Sequence, residues 1–294
     1  MNPYNITLLG GDRRIACMAP ALTQKGCRLT GFSVFECPLI PPSPSLKKAL
    51  ENAGTVICGI PFSRGETLLS TSGPPVLLSE LKRHLRKKQL LFGGLIPENF
   101  RRHCEERQIE CFDFLKDPSL TLMNAAATAE GAVSEALLGR DTLLCGHSCL
   151  VLGYGRCGSL IADRLYGLRG EVTVCSADPI ELSGAMNHGL QTFSLADLSR
   201  EISRFDYIFN TIPVCCLTED ILKQVRPKCL IIDIASDRKG ADYEAAKNLS
   251  VNLRYCPGLP GKYAAVSCAQ QMAQFVLLNI NSKKKGAHLY ESEK

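Results

Sequence analysis

The sequence predicts an α/β protein made of two units with parallel sheets, and three observations carry that prediction. Short apolar runs alternate with helical stretches along the chain, which is the pattern of βαβ units. The 294 residues correspond to two domains at roughly 150 residues each. One run, Ser148-Cys149-Leu150-Val151-Leu152, opens directly onto a glycine turn, Gly153-Tyr154-Gly155-Arg156-Cys157-Gly158.

In chain order, Ile6-Thr7-Leu8-Leu9 reads as the first strand, ending at Gly10-Gly11-Asp12, with a helix from about Arg13 to Lys25. Leu29 to Phe35 is the second strand, and Pro38, Pro41, Pro42 and Pro44 mark a loop. A short helix spans Ser45 to Ala53, with Ser45 as its cap. Strands follow at Thr55–Cys58, Leu90–Gly94 and Ile109–Phe112. Between them, Lys82, Arg83, Arg86, Lys87 and Lys88 read as one charged helix face. The alanine-rich, periodic stretch Asn124 to Leu138 predicts a long helix joining the two units.

The second unit opens with Ser148–Leu152, apolar enough to be buried on both faces. A helix over Cys157–Leu168, a strand over Glu171–Cys175 and a helix over Leu195–Ile202 come next. Strands at Tyr207–Asn210 and Cys229–Ile234 follow, and Ala264–Asn279 closes as a helix. The expected boundaries are a first domain, flavodoxin- or Rossmann-like and substrate-binding, over 1–123, a linking helix within 124–145 and a dinucleotide-binding domain over 146–260. A C-terminal helix within 261–282 and a flexible tail over 283–294 complete the chain.

Composition narrows the class. Hydrophobic residues are 45% and charged residues 21% of the chain, ordinary for a globular protein. The net charge of +5 is too mild to demand nucleic acid. No apolar stretch reaches the roughly 18 residues of a membrane helix. The opening MNPYNITLLGGD has no charged run or cleavage site, so no secretory signal is expected. The 15 cysteines are scattered without a Cys-x-x-Cys pair. They read as reduced, small apolar groups of a cytosolic protein, and no metal site is expected.

The chemistry sits at strand ends. Gly153-x-Gly155-x-x-Gly158 follows a strand and opens a helix, the context a dinucleotide fingerprint requires. Gly153 permits the turn, Gly155 lets backbone approach a pyrophosphate, and Gly158 lets helix and strand pack closely. Tyr154, Arg156 and Cys157 complete the loop, whose helix N-terminus offers N–H groups to phosphate. The next strand ends in Cys175, Ser176 and Ala177, with no acid to hold a ribose 2′-hydroxyl. Small, neutral Ser176 leaves room for a 2′-phosphate, so NADP is the expected cofactor, with NAD the alternative. Asn210-Thr211-Ile212-Pro213 and Asp233-Ile234-Ala235 end strands on the same edge and are expected to line the cofactor. Arg238 stands just beyond, and Arg14 follows the first strand-to-helix turn, where either could face a carboxylate.

Several segments together resemble the A subunit of dipicolinate synthase from spore-forming bacteria. They are Gly10-Gly11-Asp12-x-Arg14, Thr128-x-Glu130-Gly131, Gly153-x-Gly155-Arg156-x-Gly158, Asn210-Thr211-Ile212-Pro213, Asp233-Ile234-Ala235-Ser236 and Pro257-Gly258-Leu259-Pro260-Gly261. The resemblance implies two Rossmann-like domains enclosing a cleft, with the last helix returning to the first domain. It implies NADP-dependent oxidation of a dihydrodipicolinate-type precursor to pyridine-2,6-dicarboxylate for sporulation, in the mother-cell cytoplasm. It also implies a partner, a flavoprotein-like B subunit; a homo-oligomer is left open. For that reaction the cations expected to meet two substrate carboxylates are Arg14, Arg238 and Lys262, and the bases expected are Glu130 and Asp12. Two positions depart from the family: Ala177 stands where an arginine is usual, and Asp237-Arg238-Lys239-Gly240 replaces an Arg-Pro-Gly-Gly run. The alternatives are another dehydrogenase of 2-hydroxy or 2-amino acids, and a dinucleotide-binding subunit without catalysis. Between His188 and His288 there is no histidine to serve as a hydroxyacid dehydrogenase base.

Overall fold

A computed structural model describes residues 2–291, with side chains to residue 282. The chain forms two units, Met1–Met123 with Ala264–Lys294, and Asn124–Tyr263.

In the first unit the elements are β1 (Asn5–Leu9), α1 (Arg13–Cys17), α2 (Ala19–Gln24), β2 (Arg28–Phe32), α3 (Leu46–Glu51) and β3 (Thr55–Ile57). A small hairpin, β4 (Ser63–Arg64) and β5 (Thr67–Leu68), precedes α4 (Leu78–His84), β6 (Leu90–Gly93), α5 (Glu98–Glu106) and β7 (Glu110–Asp113). The sheet order is β2-β1-β3-β6-β7, all parallel. The helix expected over 13–25 is two helices. Pro20 has no N–H to continue the ladder, and the chain restarts there from Met18. Ser45 caps α3 as expected, its Oγ accepting from the Lys48 N–H at 3.2 Å. The basic stretch is not one helix face: α4 ends at His84, and Lys88 lies at φ +68°. Gln89 holds that turn, accepting from the Arg86 N–H at 2.7 Å and donating to the Ala53 carbonyl at 2.8 Å.

The long helix α6 (Pro118–Gly139) begins six residues before the expected Asn124, because Asp117 accepts from the Leu120 N–H at 2.9 Å and Pro118 suits a first helical position. The second unit then runs β8 (Ser148–Leu152), α7 (Arg156–Gly167), β9 (Glu171–Ser176), α8 (Pro179–Asn187), β10 (Gln191–Ser194), α9 (Leu198–Glu201), β11 (Tyr207–Asn210), α10 (Glu219–Leu222), β12 (Leu230–Asp233), α11 (Tyr243–Asn248), β13 (Asn252–Tyr255) and α12 (Leu259–Tyr263). Its sheet is parallel in the order β10-β9-β8-β11-β12-β13, the doubly wound arrangement of dinucleotide-binding folds. β8 is buried on both faces. Cys149 and Val151 pack with Ile161, Ala162 and Leu165 of α7, while Leu150 and Leu152 pack with Leu198, Ile202 and Phe205. The strands β10 and β13, which the sequence pattern does not predict, are the two edges. Their half-covered faces carry Gln, Thr, Asn and Arg among the apolar residues.

The last helix, α13 (Ala265–Glu291), packs on α1 and α2 in the first unit. Its Ala269, Met272, Ala273, Val276 and Ile280 share one core with Leu8, Met18, Phe92 and Phe114. The side chains of the expected flexible tail lie outside the described residues. Eight of the fifteen cysteines are buried, while Cys145 and Cys215 are exposed; burial pushes the Cys149, Cys175 and Cys229 thiols up to about 12. Among the described residues no group of three or more His, Cys, Asp or Glu could hold a metal ion. No described helix is long and apolar enough to cross a membrane.

The first unit's sheet end is tied by Asp113. Its carboxylate accepts the N–H groups of Leu95, Ile96 and Leu115 at 3.0–3.1 Å and pairs with Arg101 at 3.4 Å. Asp113→Ala strips acceptors from these donors, so urea denaturation should show a loss of about 2 kcal/mol or more.

Candidate functional site

In a sheet ordered this way, strands on either side of β8 lead their helices to opposite faces, and a crevice opens at the carboxyl ends of β8 and β11. The two strands are in register, Leu152 beside Asn210, so the glycine turn and the Asn210–Pro213 segment emerge side by side. Gly153 sits at φ +84°, a conformation that favours glycine. Its N–H donates to the Cys175 carbonyl at 2.8 Å. Thr211 fastens the other side, its N–H and Oγ1 both donating to the Leu152 carbonyl at 3.0 and 2.9 Å.

The three glycines serve different ends. A Cβ on Gly158 would stand 2.1 Å from the Gly153 carbonyl oxygen, so helix and turn touch only because that side chain is missing. Gly155 is under no such constraint. Its φ is −68°, and a Cβ would meet only Glu181 Oε1, at 3.5 Å. Gly155 is also the N-cap of α7, and no side chain caps that helix. An uncapped N-terminus beside an open glycine fits a phosphate-bearing dinucleotide: the N–H groups of α7 would hold the pyrophosphate, and the space at Gly155 would admit it.

The first unit's comparable turn is closed by its own chain. Gly11 donates to the Leu69 carbonyl at 2.6 Å, and a Cβ on Gly11 would meet Ile15 Cγ1 at 2.4 Å. Asp12 caps α1 through the Arg14 N–H at 3.0 Å. The Arg14 guanidinium is 3% exposed, grips Asp12 at 2.8–3.1 Å and reaches the Ile60 carbonyl at 2.6 Å. Asp12 and Arg14 therefore hold this turn together.

The other expected residues are placed as follows. Glu130, on α6, is 62% exposed and lies 3.6 Å from Arg164 of α7. Its neighbour Gly131 packs against Leu259, whose Cβ would lie 2.7 Å from a Cβ at 131, so two of the sequence motifs meet as α6 crosses α12. Lys262 is exposed and pairs with Glu135 at 2.5 Å. Arg238 is exposed and stacks over Tyr243, 4.4 Å from the ring centre. Asn210 and Asp233 are wholly buried and paired at 3.2 Å, and Asp233 also accepts from the Ala235 N–H at 2.8 Å and from the Tyr243 hydroxyl. Burial pushes the Asp233 carboxyl above the usual carboxylate value, outweighing the hydrogen bonds from Tyr243, Ala235 and Asn210 that favour its ionised form.

Sequence reasoning missed Glu181. It lies three residues past Asp178, the N-cap of α8, in the Asp-x-x-Glu spacing of a capping box. It does not close that box. The Asp178 N–H goes to Ser176 Oγ at 3.1 Å, and Glu181 Oε2 accepts the Tyr154 N–H at 2.8 Å and the Ser176 hydroxyl at 2.6 Å. The spacing was a signal for the residue's helical position, though not for this reach.

Comparison with known proteins agrees with this architecture. A family model for the N-terminal domain of the dipicolinate synthase A subunit matches residues 5–115. The dipicolinate synthase A subunit of Bacillus subtilis (strain 168) is 28% identical over 293 residues, 95% of this chain and 94% of that protein. The chain is similar to the dipicolinate synthase A subunit. The crystal structure of that subunit from Bacillus halodurans superposes with a TM-score of 0.80 at 18% identity, covering 95% of this chain and 99% of that one. An L-alanine dehydrogenase shares the fold at a TM-score of 0.59 and 15% identity, over 97% of this chain and 92% of its own. The resemblance to the dipicolinate synthase A subunit thus extends over nearly the whole chain.

Two outcomes are expected. Gly158→Ala forces the turn apart and lowers stability by about 1–3 kcal/mol in denaturant titrations, whereas Gly155→Asn, a good N-cap, leaves stability within about 0.5 kcal/mol. Asp233 gives a pH signature. Its folded carboxyl keeps its proton to higher pH than the unfolded one, so its contribution is full below about pH 4 and is lost as pH rises through the folded value. The stability of the protein relative to Asp233→Asn should fall as pH rises from about 4 through the folded value; a difference that stays flat above about pH 4 contradicts the raised carboxyl.

Proposed function

We propose that this chain is the dinucleotide-binding component of a dipicolinate-forming oxidoreductase, acting in the cytoplasm on a dihydrodipicolinate-type precursor. The observation that carries the reading is the near full-length similarity to the dipicolinate synthase A subunit. The uncapped glycine turn at the β8–β11 crevice supports it. A bound nicotinamide dinucleotide supplies the hydride acceptor, and formation of the aromatic pyridine ring supplies the driving force. The chain's own part is to bind and orient. The N-terminus of α7 holds phosphate, Gly155 leaves room for it, and Asn210, Thr211, Ile212 and Pro213 form the neighbouring wall. Asp233 and Ala235 brace that wall through Asn210. Of the candidate cations, Arg238 is exposed and suited to a substrate carboxylate, while Lys262 is already paired with Glu135 and Arg14 is committed to Asp12 and Ile60. Glu130, exposed on α6, is the candidate base.

The Bacillus subtilis relative is one subunit of its synthase, which implies another there. By the same resemblance a flavoprotein-like B subunit is the partner proposed here. A second reading is a dinucleotide-binding protein that turns over nothing alone. The prior engagement of Asp12, Arg14 and Lys262 in ion pairs favours it.

The test is an absorbance assay at the reduced-nicotinamide band with enzymatically generated dihydrodipicolinate, NAD or NADP, and this chain with and without a B subunit. Cofactor reduction together with dipicolinate formation, abolished in Gly155→Asn, is the expected result. Dinucleotide binding without reduction in any combination favours the second reading, and absence of binding defeats both.

A further inference from the structure

We propose that Glu181 makes this site select a ribose with a free 2′-hydroxyl, as in NAD, over one carrying a 2′-phosphate, as in NADP. The inference rests on the reading of Gly153–Gly158 as a dinucleotide turn and deepens it.

In such folds the adenosine ribose lies between the first glycine turn and the end of the next strand, where an acid selects the hydroxyl or a cation selects the phosphate. Here that strand is β9, and it ends at Ser176. Ser176 carries no charge, but its hydroxyl donates to the Glu181 carboxylate at 2.6 Å. The same oxygen takes the Tyr154 N–H at 2.8 Å, and the other oxygen stands 3.5 Å from where a Cβ on Gly155 would be. The missing acid is thus present, delivered from the first turn of α8 instead of from the strand itself. It is anchored by two donors at the meeting of the turn and β9.

The charge around it points the same way. From Glu171 to Ser199 the chain has no Lys or Arg. Ala177 is exposed at the position next to Ser176, and Asp178 follows it. The one basic residue of the turn itself is Arg156, exposed in the first turn of α7. A 2′-phosphate brings about −1.5 to −2 charges at neutral pH, as other phosphomonoesters do, and here it would meet a fixed carboxylate. A 2′-hydroxyl would instead donate to that carboxylate in a charge-assisted hydrogen bond.

Titration calorimetry of the full chain with NAD⁺ and with NADP⁺ tests this without turnover. The protein should bind NAD⁺ at least about tenfold more tightly, the scale of one charge contact at a partly exposed site. Glu181→Gln keeps an acceptor for the Tyr154 N–H and should narrow the ratio by about tenfold, chiefly through tighter NADP⁺. Ala177→Arg added to it should invert the preference. Were Glu181 only a tie between α8 and the turn, Glu181→Gln would weaken both ligands alike and leave the ratio unmoved, which overturns the proposal. Tighter binding of NADP⁺ by the unaltered protein, through Arg156, also overturns it while leaving the dinucleotide reading intact. That comparison needs no variant, so a Glu181→Gln chain that fails to fold does not remove the test. Binding of neither ligand overturns both readings.

Discussion

The contact between Gly158 and the Gly153 carbonyl governs the second unit's chemistry. Helix α7 can start against the end of β8 only because residue 158 lacks a side chain, and a Cβ there would fall 2.1 Å from that oxygen. Everything at the crevice follows from this approach. It brings the uncapped N-terminus of α7 over the sheet edge, sets Gly155 where a Cβ would meet only Glu181 Oε1, and turns the Tyr154 N–H toward α8. The burial of β8 on both faces then fixes the turn's position, since strands on either side hold its register.

The two units carry the same kind of strand-to-helix turn with opposite outcomes. In the first unit the donors are consumed internally: Leu69 accepts from Gly11, and Asp12 caps α1 while gripping the buried Arg14. A carboxylate of the chain itself sits where an anion would go. In the second unit no side chain caps α7, and the nearby carboxylate, Glu181, faces the adjoining residues of the turn and β9. A helix N-terminus binds an outside anion only when the chain has not supplied its own.

The buried polar group at the strand ends has a positioning role. Asn210 and Asp233 lie opposite one another in register, wholly buried, and each is satisfied by the other and by backbone. Gly240 closes over them so tightly that a Cβ would lie 2.2 Å from Asn210 Nδ2. Such a network holds the Asn210–Pro213 wall in one place, because any displaced member would leave a buried polar atom unpaired.

By itself the sequence determined the parallel α/β class, the interior strands and the glycine turn. Continuous apolar runs such as Ser148–Leu152 suit only strands covered on both faces, and a glycine that must contact backbone cannot be replaced. The motifs Thr128–Gly131 and Pro257–Gly261 were visible as strings, and their meeting at Gly131 and Leu259 was not. The edge strands β10 and β13 were missed because Gln191–Ser194 and Asn252–Tyr255 are at least half polar and show no apolar run. Only the tertiary structure decided that Arg14 is spent on Asp12 and Ile60, and that Glu181 of α8 supplies the carboxylate that the end of β9 lacks. Charge is legible in sequence, but the partner of a charge is set by packing between elements far apart in the chain, and local pattern carries no record of that.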